Sequence, residues 1–359
     1  MVQGAFDTLL AEYGKGIPVI GRAVGREILG TSPGAKTKAS LWISLPPASE
    51  TVKHALVSIG LEAPQDLRPP FKIKIAMERT SITREFRPQF HVELDDTIYY
   101  KAVYDVKPLL AEKLAKWDLH KFVFLYDRLH PLFIRDISLI VVFEHEKSEY
   151  YLSVLTGAKS LEPGDTLIEY PKFNWSFGGE RRYSLVIHSP YHSSQYEVVV
   201  AGSEPVSISG AGSHVVEGSF SYKGSLVPVS VKYLPSSYKF YPRTAVLTDI
   251  ILLEEKVPAP TLDIDVEEVK IDENGIKVKI NLFNKGTEPI RKIVIAMIAL
   301  GLQLSSKKIN KLDPNSSLSL ELKGRLSLLP AHPSKAYINI AGISLGRRLQ
   351  KSLELELKK

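Results

Sequence analysis

The sequence contains no cysteine in 359 residues, which excludes disulfide staples, thiolate metal sites and a cysteine nucleophile together. It contains no run of 18 apolar residues, so no helical membrane span is expected. Catalytic signatures are missing as well: there is no HExxH and no Asp-x-Asp-x-Asp-Gly loop. The spacing from Gly16 to Arg22 lacks the Lys-Ser/Thr ending of a phosphate loop. These absences lead to the expectation of a protein that is not an enzyme and holds no resident cofactor.

What is present is strand-forming sequence. The stretch Thr97–Glu146 contains ISLIVVF, a continuous apolar run rich in β-branched residues that must be buried on both faces as a central strand. TIYYKAVYDV is its expected sheet companion, and Pro108–Trp117 reads as a helix with Leu109, Leu110 and Leu114 on one face. Elsewhere, strand-like segments recur about every ten residues with Pro/Gly punctuation, the pattern of an antiparallel sandwich. The expected fold class is all-β, mainly antiparallel, with three parts. Residues 1–30 form an N-terminal helical arm, 31–257 a jelly-roll-like sandwich and 258–359 an immunoglobulin-like sandwich. The boundary rests on KVPAPTLD, where alternation stops and two prolines fall close together.

The net charge of +6 lies wholly beyond that boundary. Pro258–Lys359 carries 17 Lys/Arg against 11 Asp/Glu, and the rest of the chain is balanced at 29 of each. A basic domain suits nucleic acid or an anionic membrane. Here the cations are scattered among strands, so a solvated surface is the plainer reading and nucleic acid is not the expected partner.

Two segments carry a family resemblance. INLFNKGTEPIRKIVIAM, with Asn284-Lys285-Gly286 between two strands, and LDPNSSLSLELKG, opened by Asp313-Pro314-Asn315, make residues 260–359 resemble CARDB-type immunoglobulin-like domains of archaeal and bacterial surface proteins. Tyr104-Asp105-Val106 followed by Leu139–Glu144 is similar to jelly-roll domains of archaeal adhesin-like proteins. The resemblance implies adhesion, surface assembly or protein–protein contact. A chain poor in Asn and Gln beside many Lys, Arg and Glu agrees with a thermophilic archaeal source. A cell-surface or extracellular location is expected if a secretion signal precedes residue 1, and a cytoplasmic one otherwise.

Candidate contact residues follow. In the arm, Phe6, Leu9 and Leu10 share a helical face, and Arg22 and Arg26 punctuate an apolar run; this arm is expected to pack on its own domain, a membrane surface or a neighbouring subunit, the last giving a homo-oligomer or larger assembly. Tyr170, Phe173 and Trp175, with Arg181 and Arg182, form a candidate ring platform for a glycan, against the plainer reading of aromatics placed by β propensity. His188 and His192, or His91 and Glu93, are the candidate metal ligands, with calcium as the ion a carboxylate set would take. For each, an exposed loop or a polar sheet face is the plainer reading.

Overall fold

The computed structural model describes residues 3–30, 33, 35–44, 51–77, 80–110, 119–126, 128, 130–174, 176–235, 244–258, 261–272, 275–325, 333–345 and 347–357. The chain divides into two compact units, Met1–Val257 and Pro258–Lys359. The first unit begins with β1 (Gly4–Lys15), β2 (Ile17–Leu29), β3 (Lys38–Ser44), β4 (Val52–Pro64), β5 (Phe71–Met77), β6 (Thr80–Phe86), β7 (Phe90–Glu93) and β8 (Thr97–Asp105). One helical turn, α1 (Lys107–Leu110), precedes β9 (Leu119–Leu125), β10 (Leu132–Phe143), β11 (Glu149–Leu161), β12 (Thr166–Glu169) and β13 (Glu180–Ser189). The unit closes with β14 (Gln195–Val200), β15 (Val206–Ser209), β16 (Gly212–Ser219), β17 (Val229–Tyr233) and β18 (Ala245–Lys256).

These strands form four antiparallel sheets in a stack. An outer sheet, β3-β9-β5-β6, faces an inner sheet, β2-β10-β4-β8-β7, across one apolar core. A second inner sheet, β1-β11-β18-β13-β16, faces the outer sheet β12-β17-β14-β15 across another. The antiparallel sandwich class therefore holds, and the first unit is two sandwiches laid inner sheet to inner sheet. ISLIVVF is buried on both faces as expected. Ile137, Leu139, Val141 and Phe143 enter one core, while Ile140 and Val142 enter the layer between the inner sheets.

Residues 1–30 depart from the helical expectation, for they form two strands. β1 pairs with β11 in one inner sheet, and β2 pairs with β10 in the other. At Gly16 the chain passes between them so close to β10 that a Cβ would lie 2.4 Å from the Phe143 carbonyl oxygen. Phe6 faces the second core, whereas the adjacent Leu9 and Leu10 both face the layer between the inner sheets, because the register shifts between Thr8 and Leu10. A bulge adds one residue to a period of two, so two neighbours in the chain share a face and the strand alternation is hidden in the sequence. Of the helix expected over Pro108–Trp117, the structure shows α1, with Leu109 and Leu110 buried; residues 111–117 lie outside the described residues.

The second unit comprises β19 (Leu262–Ile271), β20 (Gly275–Asn284), β21 (Ile290–Ala299), β22 (Leu302–Leu312), β23 (Ser316–Arg325), β24 (Lys335–Ser344) and β25 (Arg347–Glu356). They build an immunoglobulin-like sandwich of β19-β20-β23 against β22-β21-β24-β25, closed around Ile280, Ile295, Ile338 and neighbouring aliphatics. The Asn284 side chain is buried and donates to the Glu288 and Leu312 carbonyls, while its oxygen accepts from Gly286 N, which fixes the turn. Asn315 supplies a φ of +52° at the Asp313-Pro314-Asn315 turn.

Candidate functional site: a buried ionic joint between two sandwiches

The layer between the inner sheets should be apolar, and at its ends it is. In the middle it holds charge. Bulges in two central strands cause this. In β10 the register shifts between Ile134 and Asp136 against both neighbours, so Ile134 and Ile137 face the same core and Asp136 turns the other way. In β18 a register shift spans Thr248–Ile250, and Asp249 takes a φ of +44°. Leu247 and Ile250 consequently share a core while Asp249 faces the opposite sheet. Each inner sheet thus delivers one carboxylate into the layer.

Lys101, from β8, lies between them with its side chain fully buried. Its ammonium contacts Asp136 and lies 2.6 Å from Asp249 Oδ2. Tyr99 OH donates to Asp136 Oδ2 at 2.6 Å, and His188 Nε2 donates to the same oxygen at 2.8 Å. Thr156 and Ser58 donate to Asp249 at 2.8 and 3.1 Å. Arg22, from β2, completes the set by donating to the Ser184 and Asp249 carbonyls at 3.2 and 3.3 Å. Gly60 is required beside them, because a Cβ there would lie 2.0 Å from Asp136 Oδ2 and 2.1 Å from Tyr99 OH.

Burial alone would raise the Asp136 carboxyl, but Lys101 and His188 outweigh it and hold the group well below the usual carboxylate range. Burial, reinforced by the Asp136 charge, pushes the Tyr99 phenol well above its ordinary value, so it remains a donor. Burial lowers the Arg22 guanidinium, opposed by Asp249 and Asp136. Two carboxylates thus face two cations in the interior. Such pairs break even against desolvation only when nearly every lone pair and proton is engaged. Here both carboxylates have several donors, while Arg22 is engaged through Nη2 and its buried Nε and Nη1 have no partner among the described residues.

A cleft of ≈ 510 Å³ opens onto this joint; Glu62, Asp95, Arg135, Tyr99, His188 and Ser213 are among its walls. His188 reaches the cleft with both ring nitrogens engaged, Nε2 by Asp136 and Nδ1 by Ser213 Oγ at 2.7 Å. A second recess of ≈ 430 Å³ lies along the same seam, bordered by Pro18, Ile20, Ser184 and Glu217. On the β1 side, Glu12 accepts from Tyr150 and pairs with Lys53 at 3.2 Å and His54 at 3.1 Å, a further polar tie between the inner sheets.

The residues singled out from sequence are dispersed. Phe6 packs on the second core, and Leu9 and Leu10 enter the layer between the inner sheets. Arg22 belongs to the buried joint; of Arg26 only the backbone, in β2, is described. Phe173 is core at 3% exposure, Tyr170 is 55% exposed immediately after β12, and Trp175 lies outside the described residues. Arg181 pairs with the buried Glu254, which also accepts from Phe177 N and Gly179 N, so it anchors its loop. Arg182 pairs with Glu255. Phe173 is thus buried and Arg181 is held by partners within the protein, while Tyr170 and Arg182 are exposed. His188 is internal, whereas His192, His91 and Glu93 are exposed. Among the described residues no group of three or more His, Asp or Glu is placed to hold a metal ion.

Sequence reasoning passed over Lys101, Asp136 and Asp249. The signal was a lone charge inside an apolar strand: YYKAV, RDISLIVV and TDIILL. Lys and Asp are almost never fully buried unless paired, so three such interruptions already implied one cluster.

No family model matches the chain, and no curated relative does. Among solved structures, Bacteroides uniformis β-glucuronidase 2 is similar at 12% identity and a TM-score of 0.21, over 56% of this chain and 26% of that one. A β-glucuronidase from Ruminococcus gnavus is similar at 10% identity and a TM-score of 0.22, over 59% and 37%. The chain thus spans about a quarter to just over a third of the length of these enzymes.

Proposed function

We propose that this is a non-enzymatic binding or structural protein that acts through its β-sandwich surfaces, in adhesion, surface assembly or contact with other protein subunits. One observation carries the reading. Titratable groups converge in a buried joint in which Lys101, Asp136 and Asp249 engage one another, and the two of its members that line the cleft, Tyr99 and His188, are both bonded to Asp136, with the second nitrogen of His188 bonded to Ser213. That arrangement supports a rigid scaffold, with sheet faces and edges left for contact. The resemblance of residues 260–359 to CARDB-type domains favours a cell-surface setting.

The test is kinetic and structural together. Full-length protein and His188→Gln are assayed against glycosides, esters and phosphoesters while their unfolding is followed. Expected is no turnover in either, with a lowered unfolding midpoint in the variant. Turnover in the parent that disappears in a folded His188→Gln overturns the reading.

A further inference from the structure

The four edge strands of the C-terminal sandwich differ sharply in charge. β19 carries Asp263, Asp265, Glu267 and Glu268 against Lys270, a net of −3; β22 carries Lys307, Lys308 and Lys311 with no acid, a net of +3. β23 and β25 are each +1. Packing collects these charges by side, since β22 lies over β23 and β19 over β25. The sandwich is therefore positive along one side and negative along the other. Among the described residues β19 pairs only with β20, and β22 only with β21, which leaves the outer backbone edge of each without a strand partner. The two edges are 10 and 11 residues long, so they match in length.

We infer that a second copy of this chain is the partner of these edges, with the acidic β19 edge of one copy adding to the basic β22 edge of the next. Lysines on an edge strand ordinarily repel strand addition. They repel a like edge, and β22 against β22 would set +3 on +3, just as β19 against β19 would set −3 on −3. Of the pairings between these edges, β19 on β22 sets the largest opposite charges together, −3 on +3 against −3 on +1 for β23 or β25, and a heterologous contact of this kind propagates into a ring or a filament. Local pairs do not remove the bias. Asp263 is bridged by Lys285 and Lys351, Glu267 by Lys279 and Glu268 by Lys270, and Lys311 of β22 pairs with Asp313, all near the surface, where such pairs are weak and exchangeable. The inference rests on the assembly reading above and names its partner.

The experiment is sedimentation of the full chain over a range of concentrations. In low salt the mass is expected to rise above the 40.0 kDa of one chain, and to return to it in about 1 M NaCl, where screening acts within about 3 Å. Lys307→Glu with Lys308→Glu makes both edges acidic; Asp265→Lys with Glu267→Lys makes both lean basic. Each variant alone is expected to weaken association by at least about tenfold, and an equimolar mixture is expected to restore it. Melting curves like the parent's confirm that both variants fold. A parent that stays monomeric in low salt, variants that assemble like the parent, or a mixture that remains monomeric each overturns the inference. A monomeric parent would leave the non-enzymatic reading standing, since that is decided by turnover.

Discussion

At the scale of single residues, Asp136 decides how the first unit responds to acid. Its carboxyl lies below the ordinary value in the folded protein because Lys101 and His188 outweigh burial. A depressed carboxyl contributes stability that is complete above its unfolded value, about 3.9, and that fades as pH falls toward the folded value. Urea unfolding of the parent is therefore expected to weaken steeply below about pH 4. Asp136→Asn is expected to be less stable at pH 7 by about 3–5 kcal/mol, because Lys101 keeps only one of its two carboxylates. The variant should also lose part of the acid slope. An unchanged slope would show that Asp136 is not the group being titrated. Tyr99 sets the opposite limit, since its raised phenol contributes stability below about pH 10 that is lost in stronger alkali.

At the scale of elements, β1 and β2 tie the unit together. They run consecutively, yet each is an edge strand of a different inner sheet. Removing residues 1–29 would strip one strand from each, expose Ile140, Val142 and Tyr150, and delete Arg22 from the joint. Circular dichroism of such a truncation should show loss of cooperative unfolding, since the deleted contacts compare with a domain's entire stability of about 5–15 kcal/mol. A truncated chain that melts like the parent would mean that the segment is an appendage after all. The misreading of this segment has a local cause. Bulges shift strand periodicity, and Gly14, Gly16, Gly21 and Gly25 dilute the β-branched signal that marked ISLIVVF.

At the scale of the whole molecule, Met1–Val257 and Pro258–Lys359 each have their own cores. Among the described residues, none of the C-terminal core comes from before Leu262. Residues 258–359 expressed alone are therefore expected to fold, with a single cooperative melt and dispersed amide resonances. An unfolded fragment would show that its stability is borrowed from the first unit. The first unit lacks that separability, because β1 belongs to the second sandwich while β2 belongs to the first, and the joint spans both.

The sequence by itself determined the class of fold, because alternation, turn chemistry and a doubly buried run such as ISLIVVF are local signals that need no partner to be read. It also determined that charges lay inside strands, in YYKAV, RDISL and TDIIL. Only tertiary structure decided that these three charges meet. Lys101, Asp136 and Asp249 come from three strands far apart in the chain, and bulges, which turn one residue against the period of its strand, aim the two aspartates at the same lysine. The same holds for the doubled sandwich. Which inner face covers which is set by inter-sheet packing between residues more than a hundred positions apart, such as Ile140 and Ile251, and no period within one strand records it.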